Sequence, residues 1–302
     1  MKEEVRWTYL TPREICELMA ETHQQKTSVR TVKKLLKVHG FRRRKAQKQR
    51  TMGQVENRNE QFENIAKWRT IYAQNGNPVL SMDTKKKEYL GNFYRDGRLY
   101  TQEVIETNDH DFISTAEGVV IPHALYDLNL NHGYIHLGTS KDTSQFACDS
   151  IRHWWLTAGK IIYPNATSIL ILCDGGGSNS SHYHIFKEAL QKLVNELGIE
   201  IRIAHYPPYC SKYNPIEHRL FPHVTRACQG VVFKSMDLVR ELISRTKTTQ
   251  GLSVTVKVFD KIYQTGRKAS ELFKDEMPIL FDDYLPKWNY RAKPQLDIAT
   301  VI

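Results

Sequence analysis

The chain has 302 residues, 40% of them hydrophobic, which suffices for a full-sized core plus an appendage, and it has no apolar run of bilayer-spanning length. Its formal charge of +10 is lopsided: residues 1–50 carry 14 Lys and Arg against 5 Asp and Glu, while the remaining residues carry 29 against 28. That asymmetry describes a polyanion-binding module on a near-neutral body. The basic stretch lacks the wide apolar face of a membrane-surface helix, so nucleic acid is the expected partner and a membrane is not.

Five cysteines, at positions 16, 148, 173, 210 and 228, are odd in number and widely scattered, which fits neither a zinc site nor a disulfide framework and predicts a reducing cytoplasm. The opening MKEEVRWTYL has no apolar signal-peptide core.

In chain order, TPRE at residues 11–14 places Thr at an N-cap, Pro at the first helical position and Glu at the third, a capping box that predicts a helix from Pro12 to Thr22. Ser28 caps a second predicted helix on which Val29, Val32, Leu35 and Leu36 recur at helical spacing, with Gly40 placed to stop it. Two short helices joined by a few polar residues predict a small all-α helix-turn-helix module. Arg30, Thr31, Lys33, Lys34 and Lys37 lie off its apolar stripe as candidate DNA contacts, and Arg42, Arg43, Arg44 and Lys45 in FRRRKAQKQR are candidates for phosphate. A solvated charged helix with a basic linker is the plain alternative. Residues 54–74 then read as a joining helix with Phe62, Ile65, Trp68 or Arg69, and Tyr72 along one side.

From Pro78 the pattern changes to short apolar runs. PVLSMD at 78–83 predicts a first strand, residues 119–139 two more, and 142–159 an amphipathic helix; a strand over 168–174, a helix, a strand over 199–205 and a helix from Pro215 follow. Strands first, then alternating helix and strand, make an α/β fold with a mixed sheet and flanking helices, in the ribonuclease H-like order. The expected domains are 1–50 (DNA-binding), 51–77 (linking helix), 78–232 (catalytic) and 233–302 (a C-terminal extension packed on the catalytic domain).

Three acids stand at or beyond the ends of these runs: Asp83, Asp174 in ILCDGGGSN, and Glu217 in KYNPIEHRLF. A sheet of this order can gather them at one edge, where two magnesium or manganese ions, roughly 3.5 to 4 Å apart, take oxygen ligands and promote in-line displacement at phosphorus. Each acid also has an ordinary reading: Asp83 as a strand-end residue, Asp174 as a turn opener, and Glu217 as half of a capping box with Asn214 and Pro215. Lys85 is a candidate phosphate contact beside Asp83; Gly175, Asn179 and His218 are candidates for the rim of the site. The histidines at 182, 184, 205, 218 and 223 follow no zinc spacing.

D-T-K-K-K-E with a following G-N-F, Y-D-L-N with G-Y-I-H-L-G, C-D-G-G-G-S-N, P-P-Y-C-S-K-Y-N-P-I-E-H-R-L-F and the closing W-N-Y run through residues 78–292. On these motifs the chain resembles bacterial insertion-sequence transposases of the ISAzo type, within the wider DDE superfamily. The resemblance implies that Asp83, Asp174 and Glu217 are a metal-binding catalytic triad. It also implies an enzyme that binds terminal inverted repeats, cuts there and joins 3′ ends to target DNA, acting as a homodimer or higher oligomer on paired ends in the bacterial cytoplasm at the nucleoid. It implies as well that an upstream helix-turn-helix is missing, since the N-terminal region is shorter than a complete bipartite DNA-binding region. A nuclease of the same fold that never joins strands, and a non-catalytic DNA-binding derivative, are the competing readings.

Overall fold

Thr11 and Ser28 open the first two helices as their side chains predict. The structure, a computed structural model, describes residues 6–44, 55–176 and 184–295, and it divides into two compact units, Met1–Met52 and Gly53–Ile302. In the first, helix α1 (Pro12–His23) has the full capping box: Thr11 Oγ1 accepts from the Glu14 N–H at 3.3 Å and the Glu14 carboxylate accepts from the Thr11 N–H. Helix α2 (Val29–Val38) is capped by Ser28, whose Oγ accepts from the Thr31 N–H at 3.1 Å, and Gly40 follows it in the left-handed region at φ +77°. Of the apolar stripe only Val32 is buried, while Val29 is 39% and Leu35 44% exposed. This unit therefore has a thin apolar interior of its own.

The second unit begins with α3 (Arg58–Gln74), followed by β1 (Val79–Thr84), β2 (Glu88–Leu90), β3 (Gly118–Asp127) and β4 (His132–Gly138). Helix α4 (Ser144–Trp154) runs through a π-helical turn, Trp155–Gly159, into the short α5 (Lys160–Ile162). A Cβ on Gly159 would lie 2.6 Å from Trp155 Cε3, so the two tryptophans pack there only because this residue has no side chain. Next come β5 (Ser168–Cys173), α6 (His184–Leu197), β6 (Glu200–His205), α7 (Pro215–Arg219), α8 (Phe221–Ala227), α9 (Met236–Ser244), β7 (Ser253–Phe259), α10 (Glu271–Glu276), β8 (Leu280–Phe281) and β9 (Asn289–Ala292).

The strands form one sheet in the order β7-β4-β3-β1-β5-β6-β9-β8, with β2 paired to β3. Strands β7, β4, β1, β5 and β6 run the same way, with β3 and β9 reversed between and beside them. These strands therefore deliver their carboxyl ends to one edge of the sheet, where open α/β sheets place their ligands.

Alternation along the strands builds two faces. Leu80, Met82, Leu125 and Ile171 meet Phe186, Leu190, Ile151 and Trp154 of α4 and α6. On the opposite face Val79, Leu170 and Leu172 pack on Ile65 and Tyr72 of α3, while Ala124, Tyr126 and Leu137 pack on Ile216 of α7, Val224 of α8 and Leu220 between them. The helix expected to join two domains is thus one of the layers of the second unit. The segment from Phe233, expected to pack on the catalytic domain as an extension, enters the sheet itself: β7 pairs with β4 at one side and β9 with β6 at the other.

Candidate active site

The register of two parallel strands sets the site. Met82 of β1 lies beside Cys173 of β5, so Asp83 and Asp174 are the next residues along adjacent strands. Parallel strands stand roughly 4.8 Å apart, which makes these two acids lateral neighbours. Both follow residues of the α3 and α7 face by two positions, Ser81 before Asp83 and Leu172 before Asp174, and so belong to that face.

Glu217 arrives on α7, which is pinned to β1 by buried polar groups. Ser81 Oγ accepts from the Ile216 N–H at 3.0 Å and pairs with Asn214 Oδ1, and Asn214 Nδ2 donates to the Met82 carbonyl at 3.2 Å. Asn214 is fully buried, and its side chain makes no cap bond to α7. The capping-box alternative for Glu217 is therefore not what the residues do: the Asn214 amide is occupied across the sheet, and the Glu217 carboxyl is hydrogen-bonded to Asp83.

These contacts load negative charge into one place. Burial, then the neighbouring Asp174 and the Glu217 carboxyl, push Asp83 up to about 8, against the Thr84 N–H that donates to its Oδ1 at 2.7 Å. Asp174 is also raised, by burial first and then by the Glu217 charge, while the Gly176 N–H holds it down. Among the described residues no group of three or more His, Cys, Asp or Glu already stands in place to hold a metal ion. The donor set nevertheless suits a hard divalent cation: it is all oxygen, it comes from three separate elements, and the hydrogen bond between two of its carboxyls needs a proton where a cation would supply positive charge.

Support for Asp174 comes from residues outside the predicted triad and its rim. His205, fully buried at the end of β6, lies with Nδ1 3.0 Å from the Asp174 carbonyl and Nε2 3.1 Å from the Tyr290 hydroxyl. Asn289 and Gln61 exchange amide hydrogen bonds beside it, at 2.8 and 3.0 Å, so the closing W-N-Y motif and α3 buttress this strand end. The signal was present in the sequence: an Asn and a Tyr inside a short strand-like run need buried partners.

Gly175 is half-buried beside Asp174, and among the described residues a Cβ there would meet nothing closer than the Tyr206 carbonyl at 3.6 Å. His218 is exposed. Asn179 and Lys45 lie outside the described residues. Lys85 is only 13% exposed and donates to Glu88 at 2.5 Å, an acid that also takes Arg95 at 2.7 Å; Lys86 is the neighbour that faces solvent. Arg95, stacked 3.5 Å over the Phe233 ring, lines with Tyr94, Phe221 and Lys86 a cavity of about 640 Å³ that reaches Glu217. In the first unit Arg30, Thr31, Lys33, Lys34, Lys37, Arg42, Arg43 and Arg44 are all exposed, with Thr31 also bonded to the Ser28 cap.

A mixed sheet of this order with helices on both faces is the ribonuclease H-like architecture of DDE transposases. The chain belongs to the family described as the Rhodopirellula transposase DDE domain, whose model matches residues 1–294. Among solved structures it is similar to the Mos1 transposase paired-end complex with left transposon end, at 15% identity and a TM-score of 0.45 over 80% of this chain and 72% of that one. It is similar also to the Mos1 mariner paired end complex with Mn, at 13% identity and a TM-score of 0.47 over the same shares, 80% and 72%. No curated protein matches it in sequence.

Proposed function

We propose that this transposase-family chain is an active, divalent-metal-dependent enzyme that binds the terminal inverted repeats of its own element, cuts the DNA there and joins the 3′ ends to target DNA. The observation that carries the reading is the convergence of Asp83, Asp174 and Glu217, from strands and a helix far apart in sequence, on one face at the carboxyl edge of the sheet.

Asp83, Asp174 and Glu217 would hold two divalent ions, magnesium or manganese, which would supply activation of the attacking oxygen and stabilisation of the leaving one. Asp83 and Asp174 present neighbouring charges whose repulsion favours a bound cation over two free carboxylates. The Gly176 N–H orients Asp174, His205 steadies its backbone, and Asn214 holds the helix that carries Glu217. The glycines after Asp174 leave room for a DNA backbone. Sequence-specific contact falls to Arg30, Thr31, Lys33, Lys34 and Lys37 of a helix-turn-helix, and phosphate contact to Arg42, Arg43 and Arg44. On paired ends the chain acts as a homodimer or higher oligomer. No helix among the described residues is long and apolar enough to cross a membrane.

The test is a strand-transfer assay with magnesium or manganese, using labelled DNA from the ends of the encoding element and a supercoiled target plasmid. Joined product that disappears in Asp174→Asn, with DNA binding retained, is the expected result. Cleavage without joining would replace the reading with a nuclease, and binding without cleavage would replace it with a DNA-binding derivative.

A further inference from the structure

A second groove lies on the other side of Asp83 from the Glu217 cavity. Strands β4 and β7 end in register, Gly138 beside Phe259, at the same sheet edge as Asp83. The chain leaving β4 forms one wall with the start of α4, and the chain leaving β7, residues 260–270, forms the other. Together with α6 they enclose about 740 Å³. The groove lies on the α4 and α6 face and reaches the same end of the sheet as the carboxylates: Thr84, which follows Asp83 and turns to this face, donates from Oγ1 to Asp142 at its mouth at 3.2 Å.

Residues 260–270 are anchored at both ends. Tyr263 is buried, donates its N–H to Ser140 Oγ at 2.9 Å and its hydroxyl to Asp149 Oδ2 at 3.0 Å; Ala269 is buried in the main core, and Ser270 is bonded to Glu188. Between the anchors, QTGRK projects with every residue exposed. Apart from Asp142, which accepts from Thr84, the charges of the groove sort into two sets. Arg152, Lys192 and Lys261 are matched by Asp149, Glu188 and Glu196 in ion pairs of 2.8 Å or less. Arg267 and Lys268 have no ion pair among the described residues; Arg267 donates only to the neutral Gln145, at 3.0 Å. Two exposed cations on a held loop stand at the sheet end that carries the carboxylates, whose charge would repel a polyanion, and are placed to offset that repulsion.

We infer that this groove is a DNA-backbone site of the catalytic unit, in which Arg267 and Lys268 contact phosphates of a strand passing Asp83. The inference rests on the transposase reading and deepens it, because it assigns to the segment after β7 a contact separate from the basic N-terminal module. The phosphates can belong to the element end or to the target, and the experiment distinguishes them.

The full chain and its Arg267→Gln/Lys268→Gln variant are titrated against two duplexes, one from the ends of the encoding element and one of unrelated sequence, from low to high salt. Loss of two phosphate contacts lowers the slope of log K against log salt by about 2. The duplex on which the slope falls identifies the source, and a target contact further predicts that end cleavage persists while joining drops. Arg267→Lys/Lys268→Arg, which keeps both charges, should retain the parental slope. A parental slope for the Gln variant on both duplexes overturns the inference, as does equal loss in the charge-keeping variant. If the parent itself binds neither duplex, the transposase reading falls with it; if the parent binds and the slopes coincide, the groove assignment alone is wrong.

Discussion

Asn214 decides between two accounts of why Glu217 is where it is, and two substitutions separate them. If Asn214 were chiefly the N-cap of α7, Asn214→Asp would be nearly silent, since Asp caps as well as Asn. In the structure the amide instead donates from Nδ2 to the Met82 carbonyl and pairs through Oδ1 with Ser81, with no cap bond of its own. Asn214→Ala then removes two buried hydrogen bonds, at about 1 kcal/mol net each, and leaves a buried partner short of a bond, for a loss of roughly 2–3 kcal/mol. Asn214→Asp costs more, roughly 3 kcal/mol or above, because a carboxylate cannot donate to Met82 and places a charge in a fully buried position near Asp83. Urea unfolding measures both. In parallel, metal-dependent cleavage should fall well before DNA affinity does, since α7 carries Glu217 and the N-terminal module is untouched. Ser81→Ala should be non-additive with Asn214→Ala by 0.5 kcal/mol or more, as the two side chains share one contact. An Asn214→Asp protein as stable as the parent, with normal cleavage, would refute the pinning argument.

Asp83→Asn removes one of three facing carboxylates, so it should abolish cleavage while raising the melting temperature measured in chelator; an unchanged or lower melting temperature would contradict the crowding of charge at this site. His123 is fully buried and burial holds its ring down at about 3, below the ordinary 6.5. The unfolded chain therefore takes up a proton first as pH falls below about 6.5, and stability should drop by about 1.4 kcal/mol per pH unit from this residue towards pH 3, a slope that His123→Phe removes in urea titrations at pH 6, 5 and 4. Tyr290→Phe deprives His205 Nε2 of its 3.1 Å partner and should cost roughly 1–2 kcal/mol in the same assay, with cleavage reduced and DNA binding intact. Neutralising Arg42, Arg43 and Arg44 together should weaken binding to every DNA sequence and reduce the salt slope by up to about 3.

The parts of this architecture legible in the sequence are those with a local cause. Thr11 and Ser28 announce their helices because a cap is a contact over three residues, and SILILC reads as a buried strand because it is apolar on both faces. Asp83 and Asp174 stood out for the same reason, each ending such a run. What local pattern did not decide was which partner a polar side chain takes. Asn214-Pro215-x-Glu217 fits a capping box by spacing, but Asn214 lies against β1, more than a hundred residues away in sequence, and buried hydrogen bonds across that distance outweigh a cap on a five-residue helix. Lys85 illustrates the same competition, pairing with Glu88 three residues on. The C-terminal strands were hidden differently. SVTVKVF alternates cleanly, with Val254, Val256 and Val258 turned to the α9 side, yet an edge strand that joins β4 from over a hundred residues downstream gives no sign of its neighbour. Its parallel pairing is what carries Arg267 and Lys268 to the carboxylate edge; an antiparallel β7 would have delivered residues 260–270 to the opposite end of the sheet. The direction of one edge strand thus determines whether the basic loop stands at the carboxylate end of the sheet at all.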